Sequence, residues 1–324
     1  MFIDPALFRD DAVSEETRAF NAGLQELLLA QPDTSLFTPD QIRSARREGK
    51  TWLGPVVYSD YAETITIDGP GGDLDLRVIT AGEAAGVYLH MHGGGWVLGA
   101  ADLSDVPNEA MAIAAGVTVV SVDYRLAPEY PYPAGVDDCA AAAAWLVENG
   151  EDSFGTNRFA IGGESAGANL VAATLLKTRD DVGYVDWAAA NLVYGSYLPH
   201  GTPSVRHWNE EGLVLEADTM TWFGKHYVGE AKVAMDDPYF SPLYGELHDM
   251  PPALFSVGTW DPLLDDTLFM AVRWLAAENH TELAIYPGGV HAFDAFPTQI
   301  AIDARTRMHA FIRDAVTSPA TPGT

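Results

Sequence analysis

Gly163-Glu164-Ser165-Ala166-Gly167 sets a serine between glycines, after the apolar run Arg158-Phe159-Ala160-Ile161-Gly162 and before the helix-like stretch Ala168 to Leu176. This predicts a strand-to-helix turn that pushes the hydroxyl outward, since bulky neighbours would clash with the opposing backbone. A serine is a weak nucleophile until a base takes its proton and an acid orients that base. Candidates for both lie downstream. Asp261 closes the apolar run Ala253 to Gly258, and His291 follows Leu283 to Pro287 in the loop Gly288-Gly289-Val290-His291. Upstream, Val87-Tyr88-Leu89-His90-Met91 runs into His92-Gly93-Gly94-Gly95-Trp96, whose glycines can turn several backbone N–H groups toward one developing oxyanion. Together these residues can carry acyl transfer through a covalent serine intermediate.

Each residue also has a plainer reading. Ser165 could simply cap a helix, and Asp261 could cap one beginning at Pro262, a duty compatible with orienting a histidine. Asp265, Asp266 and Asp294 are rival acids; Asp261 is preferred because it alone ends a strand. His280 reads as a surface loop residue. His90 and His92 have the spacing of a strand face that could ligate zinc, yet no third ligand follows, and the single cysteine, Cys139, lies in an alanine-rich helix. A buried His90 and a structural loop role for His92 are expected, with no metal. Arg125 and Glu129 are spaced to pair across a turn stiffened by Pro128.

The elements that must position these groups alternate along the chain. Thr64 to Ile67 and Leu74 to Ile79 flank a Gly-Pro-Gly-Gly turn and read as a hairpin. Strands then follow over Val87 to Met91, Val117 to Val122, Arg158 to Gly162, Ala188 to Tyr194, Ala253 to Val257 and Leu283 to Tyr286. Helical segments such as Val136 to Glu148 and Asp266 to Glu278 separate them. The expectation is an α/β fold with a mostly parallel eight-stranded sheet. Residues 1–50 and 198–236 fall outside the alternation, and Ser318 to Thr324 reads as a loose tail.

The order serine, acid, histidine is that of α/β-hydrolases. With His92-Gly-Gly-Gly-Trp96, Asp123-Tyr-Arg-Leu-Ala-Pro-Glu129, Gly163-Glu-Ser-Ala-Gly167 and Asp261-Pro-Leu, the chain closely resembles the bacterial hormone-sensitive-lipase-like esterases from about Tyr88 to His291. The resemblance implies an α/β-hydrolase core over 51–197 and 237–317, with a helical cap from segment 1–50 and insertion 198–236. It implies Ser165 as nucleophile, His291 as base and then acid, Asp261 as the orienting acid, and backbone N–H groups of Gly94, Gly95 and Ala166 as oxyanion hole. Trp96, Trp208, Trp222 and Phe223 are the expected substrate-binding aromatics. The implied activity is carboxylesterase action on short-chain neutral esters, without a cofactor. An amidase or arylformamidase with the same triad is the alternative; a receptor on this scaffold, like the plant gibberellin receptors, would lack the histidine that is present here.

Composition bounds this reading. A chain of 324 residues, 48% apolar, can bury a large core and fits one elaborated domain. One cysteine excludes an internal disulfide, and the acidic N-terminus is unlike a signal peptide, so a cytosolic location is expected. With 18 basic and 46 acidic residues, the formal charge of −28 disfavours nucleic acid and anionic membranes as partners. A small-molecule ester is the expected partner, a homodimer being left open. The same charge should slow anionic esters unless Arg43, Arg46, Arg47 and Arg206 reverse the field near the site.

Overall fold

The computed structural model describes residues 2–230 and 232–318. Within them, the hairpin and the six later strands form one sheet: β1 (Ala62–Gly69), β2 (Gly72–Ile79), β3 (Gly86–Met91), β4 (Val117–Val122), β5 (Phe159–Glu164), β6 (Ala189–Val193), β7 (Ala253–Trp260) and β8 (Thr281–Val290). Their order is β1-β2-β4-β3-β5-β6-β7-β8. β2 pairs antiparallel with both β1 and β4, and every later pairing is parallel. The expected strands are all present; β7 and β8 run further than their apolar cores, to Trp260 and Val290, next to Asp261 and His291. Most of the expected tail, Pro319 to Thr324, lies outside the described residues.

Central strands β3, β4 and β6 are buried at every position, as continuous apolar runs in a sheet covered on both faces should be. One face is covered by α4 (Ala134–Phe154), α5 (Ala166–Lys177) and α8 (Leu264–Ala276), around Leu146, Leu170, Met270 and Trp274. The other is covered by α3 (Asp105–Ala115) and α9 (Gln299–Thr317), through Met111, Met308 and Ile312. The strand order runs β4-β3-β5, so the successive crossovers from β3 to β4 and from β4 to β5 run in opposite directions along the sheet, which for crossovers of one hand puts helices on both faces. No helix among the described residues is long and apolar enough to cross a membrane.

Residues before β1 form α1 (Glu15–Leu29), capped by Ser14, and α2 (Pro39–Arg47), which opens with a reciprocal Thr38–Gln41 capping box. α1 packs beside β8. Asn21 Nδ2 donates to Gly288 O at 2.8 Å, and a Cβ on Gly288 (φ +75) would stand 2.5 Å from Val13. The segment between β6 and β7 carries α6 (Pro203–Arg206) and α7 (Ala217–Val228).

Candidate active site

Ser165 sits at the turn from β5 into α5 with φ +57 and ψ −120, a conformation costly for a side-chain-bearing residue. Its hydroxyl makes no capping bond to α5. The flanking glycines are obligatory, since a Cβ on Gly163 would stand 2.3 Å, and on Gly167 2.0 Å, from the Met91 carbonyl oxygen. Close packing on β3 therefore aims the hydroxyl outward. His291 Nε2 lies 2.9 Å from Ser165 Oγ, and His291 Nδ1 lies 3.0 Å from Asp261 Oδ2. Asp261 is 1% exposed, and its other oxygen, Oδ1, accepts the Leu263 N–H at 2.8 Å. The carboxylate thus reaches His291 and also binds an N–H of the turn that follows it, but it is not the N-cap of a helix beginning at Pro262: α8 begins at Leu264, with Leu263 at its N-cap and no side-chain cap bond.

Backbone orientation in the glycine loop follows from which carbonyls are bound. His92 Nδ1 lies 2.7 Å from Gly93 O, and Gly94 O accepts from Val97 N and Leu98 N. In a trans peptide the N–H points opposite the preceding C=O, so the N–H groups of Gly94 and Gly95 turn away from those partners. The Ser165 carbonyl accepts from Ala168 N, which turns the Ala166 N–H outward in the same manner at the positive end of α5. Gly93, Gly94, Gly95, Ser165, Ala166 and His291 all border one cavity of about 1260 Å³. His92 is buried and stacks on Tyr124 at 4.2 Å. Burial pulls its pKa down to about 4, against the opposing Gly93 bond, so the ring that braces the loop is neutral.

The far wall of the cavity comes from residues before β1, such as Phe37, Ile42 and Leu53, and from the insertion, through Leu213, Met220 and Phe223. Phe223 presses on the glycine loop, its ring 2.3 Å from where a Cβ on Gly95 would stand. Trp96 also borders the cavity, stacked on Tyr227 at 4.3 Å. Trp208 and Trp222 do not border it, contrary to expectation. On α7, Thr219, Met220, Phe223 and Gly224 share the cavity face, which turns Trp222 into the core at 8% exposure. Trp208 packs beside the cluster containing Leu24 and Leu213. Arg43, Arg46 and Arg47 line the cavity, whereas Arg206 donates to Gly201 O and His200 O.

The rival acids have other partners. Asp265 accepts the Ser204 N–H at 2.8 Å. Asp266 Oδ1 accepts the N–H groups of Tyr197 and Leu198, and its Oδ2 accepts the Thr202 hydroxyl, so it ties down the start of the insertion. Asp294 accepts the Tyr194 hydroxyl. Burial raises the Asp266 pKa to about 7; its three hydrogen bonds oppose the shift and the Asp261 charge adds to it. A raised carboxylate pKa means a buried charge that costs stability in full above about pH 7, a cost relieved as pH falls toward the ordinary value of 3.8. Asp266→Asn preserves the shape and can give Thr202 a donor in place of an acceptor. Its stability relative to wild type is expected to rise between those two pH values and level off above them, read as urea midpoints. A pH-independent difference would show that the charge is not the cause.

His90 is buried as expected, with Nδ1 2.8 Å from Ser121 Oγ and Nε2 3.0 Å from Glu164 Oε2. Among the described residues no group of three or more His, Cys, Asp or Glu is placed to hold a metal ion. The expected Arg125–Glu129 pair does not form. Arg125 instead grips Asp138 through Nε and Nη2, and Glu129 pairs with Arg43 at 2.9 Å, because α4 and α2 bring in partners with better geometry than a local turn offers. His280 is exposed beside Glu282, as expected of a loop residue. Sequence reasoning did not single out Tyr194 as a neighbour of His291; an aromatic at the end of an apolar strand gives no signal of which loop it will face.

Comparison with known proteins bears on the fold and the family. Residues 88–295 match a family described by the alpha/beta hydrolase fold. The carboxylic ester hydrolase LipN of Mycobacterium tuberculosis is 34% identical over 74% of this chain, which spans 66% of the length of LipN. The esterase LipI of the same organism is 34% identical over 86% of this chain and 91% of its own. The solved structure of a hyperthermophilic esterase from the archaeon Pyrobaculum calidifontis superposes with a TM-score of 0.82 at 31% identity, covering 92% of this chain and 98% of the other.

Proposed function

The chain belongs to the α/β-hydrolase family, among its hormone-sensitive-lipase-like esterases, and from that premise we propose that it is a carboxylesterase cleaving short-chain neutral esters with Ser165, His291 and Asp261. One observation carries the reading: the continuous hydrogen-bonded path from Ser165 Oγ through His291 to Asp261, opening on a cavity. Ser165 attacks the ester carbonyl while His291 Nε2 takes its proton. Asp261 keeps the Nδ1 proton in place and stabilises the imidazolium. The Gly94, Gly95 and Ala166 N–H groups hold the oxyanion, where fixed dipoles cost no reorganisation as charge develops. His291 returns the proton to the departing alcohol, then takes one from the water that releases the acid. In this reading residues 51–197 and 237–317 are the core, and 1–50 with 198–236 are a cap closing the cavity. Phe223 and Trp96 remain as substrate-facing aromatics. The reading extends to a cytosolic enzyme, supported by a lone cysteine that is buried and unpaired.

A fluorophosphonate probe is expected to label Ser165, located by peptide mapping. Turnover of an aryl acetate is expected to exceed that of the matching aryl formamide by at least about tenfold in kcat/KM. A preference for the formamide would favour the amidase reading, and a protein that neither labels nor turns over would defeat both.

A further inference from the structure

The hydrogen bond to Asp261 fixes one point of the His291 ring. The ring still has a freedom that bond does not remove, a swing about the line from Nδ1 to the carboxylate, which would carry Nε2 off Ser165. A second contact opposes that swing. Tyr194, directly after β6, is 3% exposed and held at φ +35, outside the regions tyrosine ordinarily occupies. Its ring meets the imidazole edge to face, with centroids 4.8 Å apart and planes at 62°. The hydroxyl of Tyr194 donates to Asp294 Oδ1 at 2.5 Å. Asp294 comes three residues after His291 and borders the same cavity. Arg305 of α9 donates to the Asp294 backbone carbonyl, holding the acid from behind.

Resting on the hydrolase reading above, we propose that Asp294 is a positioning residue for His291, acting through the ring of Tyr194. The acid and the phenol form a strut: Asp294 fixes the hydroxyl end of the ring, and the ring fixes the plane of the imidazole. The strut also carries charge. Burial raises the Asp294 pKa to about 6, with the Tyr194 bond opposing, Glu164 adding and Arg305 opposing. The groups facing the strut are thus Glu164 beside the nucleophile, Arg305 on α9, and Tyr286 on β8, with Asp261 and His291 on the side of Tyr194. Above about pH 6 an ionised Asp294 places negative charge near the imidazolium formed in acyl transfer and favours it.

The test compares Tyr194→Phe, Asp294→Asn and the double variant with wild type, using an aryl acetate and counting active sites with the fluorophosphonate probe. Each single variant is expected to lose about tenfold in kcat per active site with KM little changed, because aim rather than binding is impaired. The double variant is expected to lose no more than either single, since both break one strut. Asp294→Asn is further expected to move the acid limb of kcat/KM toward lower pH, which damage to folding alone would not do. Turnover per active site within twofold of wild type, additive losses, or an unmoved acid limb would each overturn the proposal. A wild type that neither labels nor hydrolyses the ester would instead sink the hydrolase reading, and this one with it.

Discussion

Ser165→Ala is expected to lower kcat for an aryl acetate by roughly a thousandfold to a millionfold while the protein unfolds at an unchanged denaturant midpoint. The size follows from the chemistry, since removing the nucleophile leaves the oxyanion donors and binding to act alone. The lack of a stability cost follows from the turn. The hydroxyl makes no cap to α5 and points toward His291 and the cavity, so its loss empties little packed volume. The strained backbone at φ +57 persists, imposed by the contact of Gly163 and Gly167 with the Met91 carbonyl. Activity within tenfold of wild type would remove Ser165 as nucleophile.

Asp261→Asn is expected to lower kcat by about a hundredfold to ten-thousandfold. An amide can present its N–H to His291 Nδ1, which selects the tautomer whose proton sits on Nε2 and blocks acceptance from Ser165. Burial magnifies the effect: Asp261 is 1% exposed, so water cannot take over the role. The amide oxygen can still take the Leu263 N–H, which keeps the loop in place and makes the loss one of chemistry rather than of folding. Asp265→Asn, a change at the Ser204 tie, is expected to stay within about twofold, and Asp294→Asn near tenfold. A crippling Asp294→Asn paired with a mild Asp261→Asn would reverse the assignment of the acid.

The strand-to-helix turn at Ser165 was legible because its glycines answer a local steric demand, and steric demands write themselves into residue type. The strands were legible because each is a short apolar run between turn residues. Asp261 was preferred among four acids because it follows a strand, strand ends at one edge of a parallel sheet converge, and the structure sets its carboxylate 3.0 Å from His291. Partners set by distant packing were not legible. Arg125 has Glu129 four residues away, yet its bidentate partner is Asp138 on α4, whose approach depends on how the helix lies across the sheet. Trp222 and Phe223 are adjacent and both apolar, and polar residues such as Thr219 share the cavity face of α7, so polarity does not tell which aromatic turns to the cavity. Trp208 lies in the loop between α6 and α7, and its packing beside Leu24 and Leu213 depends on where the N-terminal segment lies. Asp294 was read as a rival to Asp261, when its hydrogen bond runs to a tyrosine that directly follows β6.

The bond from Asn21 to Gly288 O joins residues 267 positions apart, and Gly288 belongs to the strand that leads to His291. At a synthesis rate of about 5–20 residues per second, roughly 13 to 53 seconds separate the appearance of the two residues on a ribosome. For that interval α1 has lost its docking site, and its Phe20, Leu24 and Leu28 have nothing of β8 to cover. The loop-closure entropy of so long a separation falls on the same event. Ser165 is made before β8 and its turn can set against β3 at once, but the histidine and its N-terminal support join only when β8 has emerged. The nascent chain is therefore chemically silent until β8 has emerged.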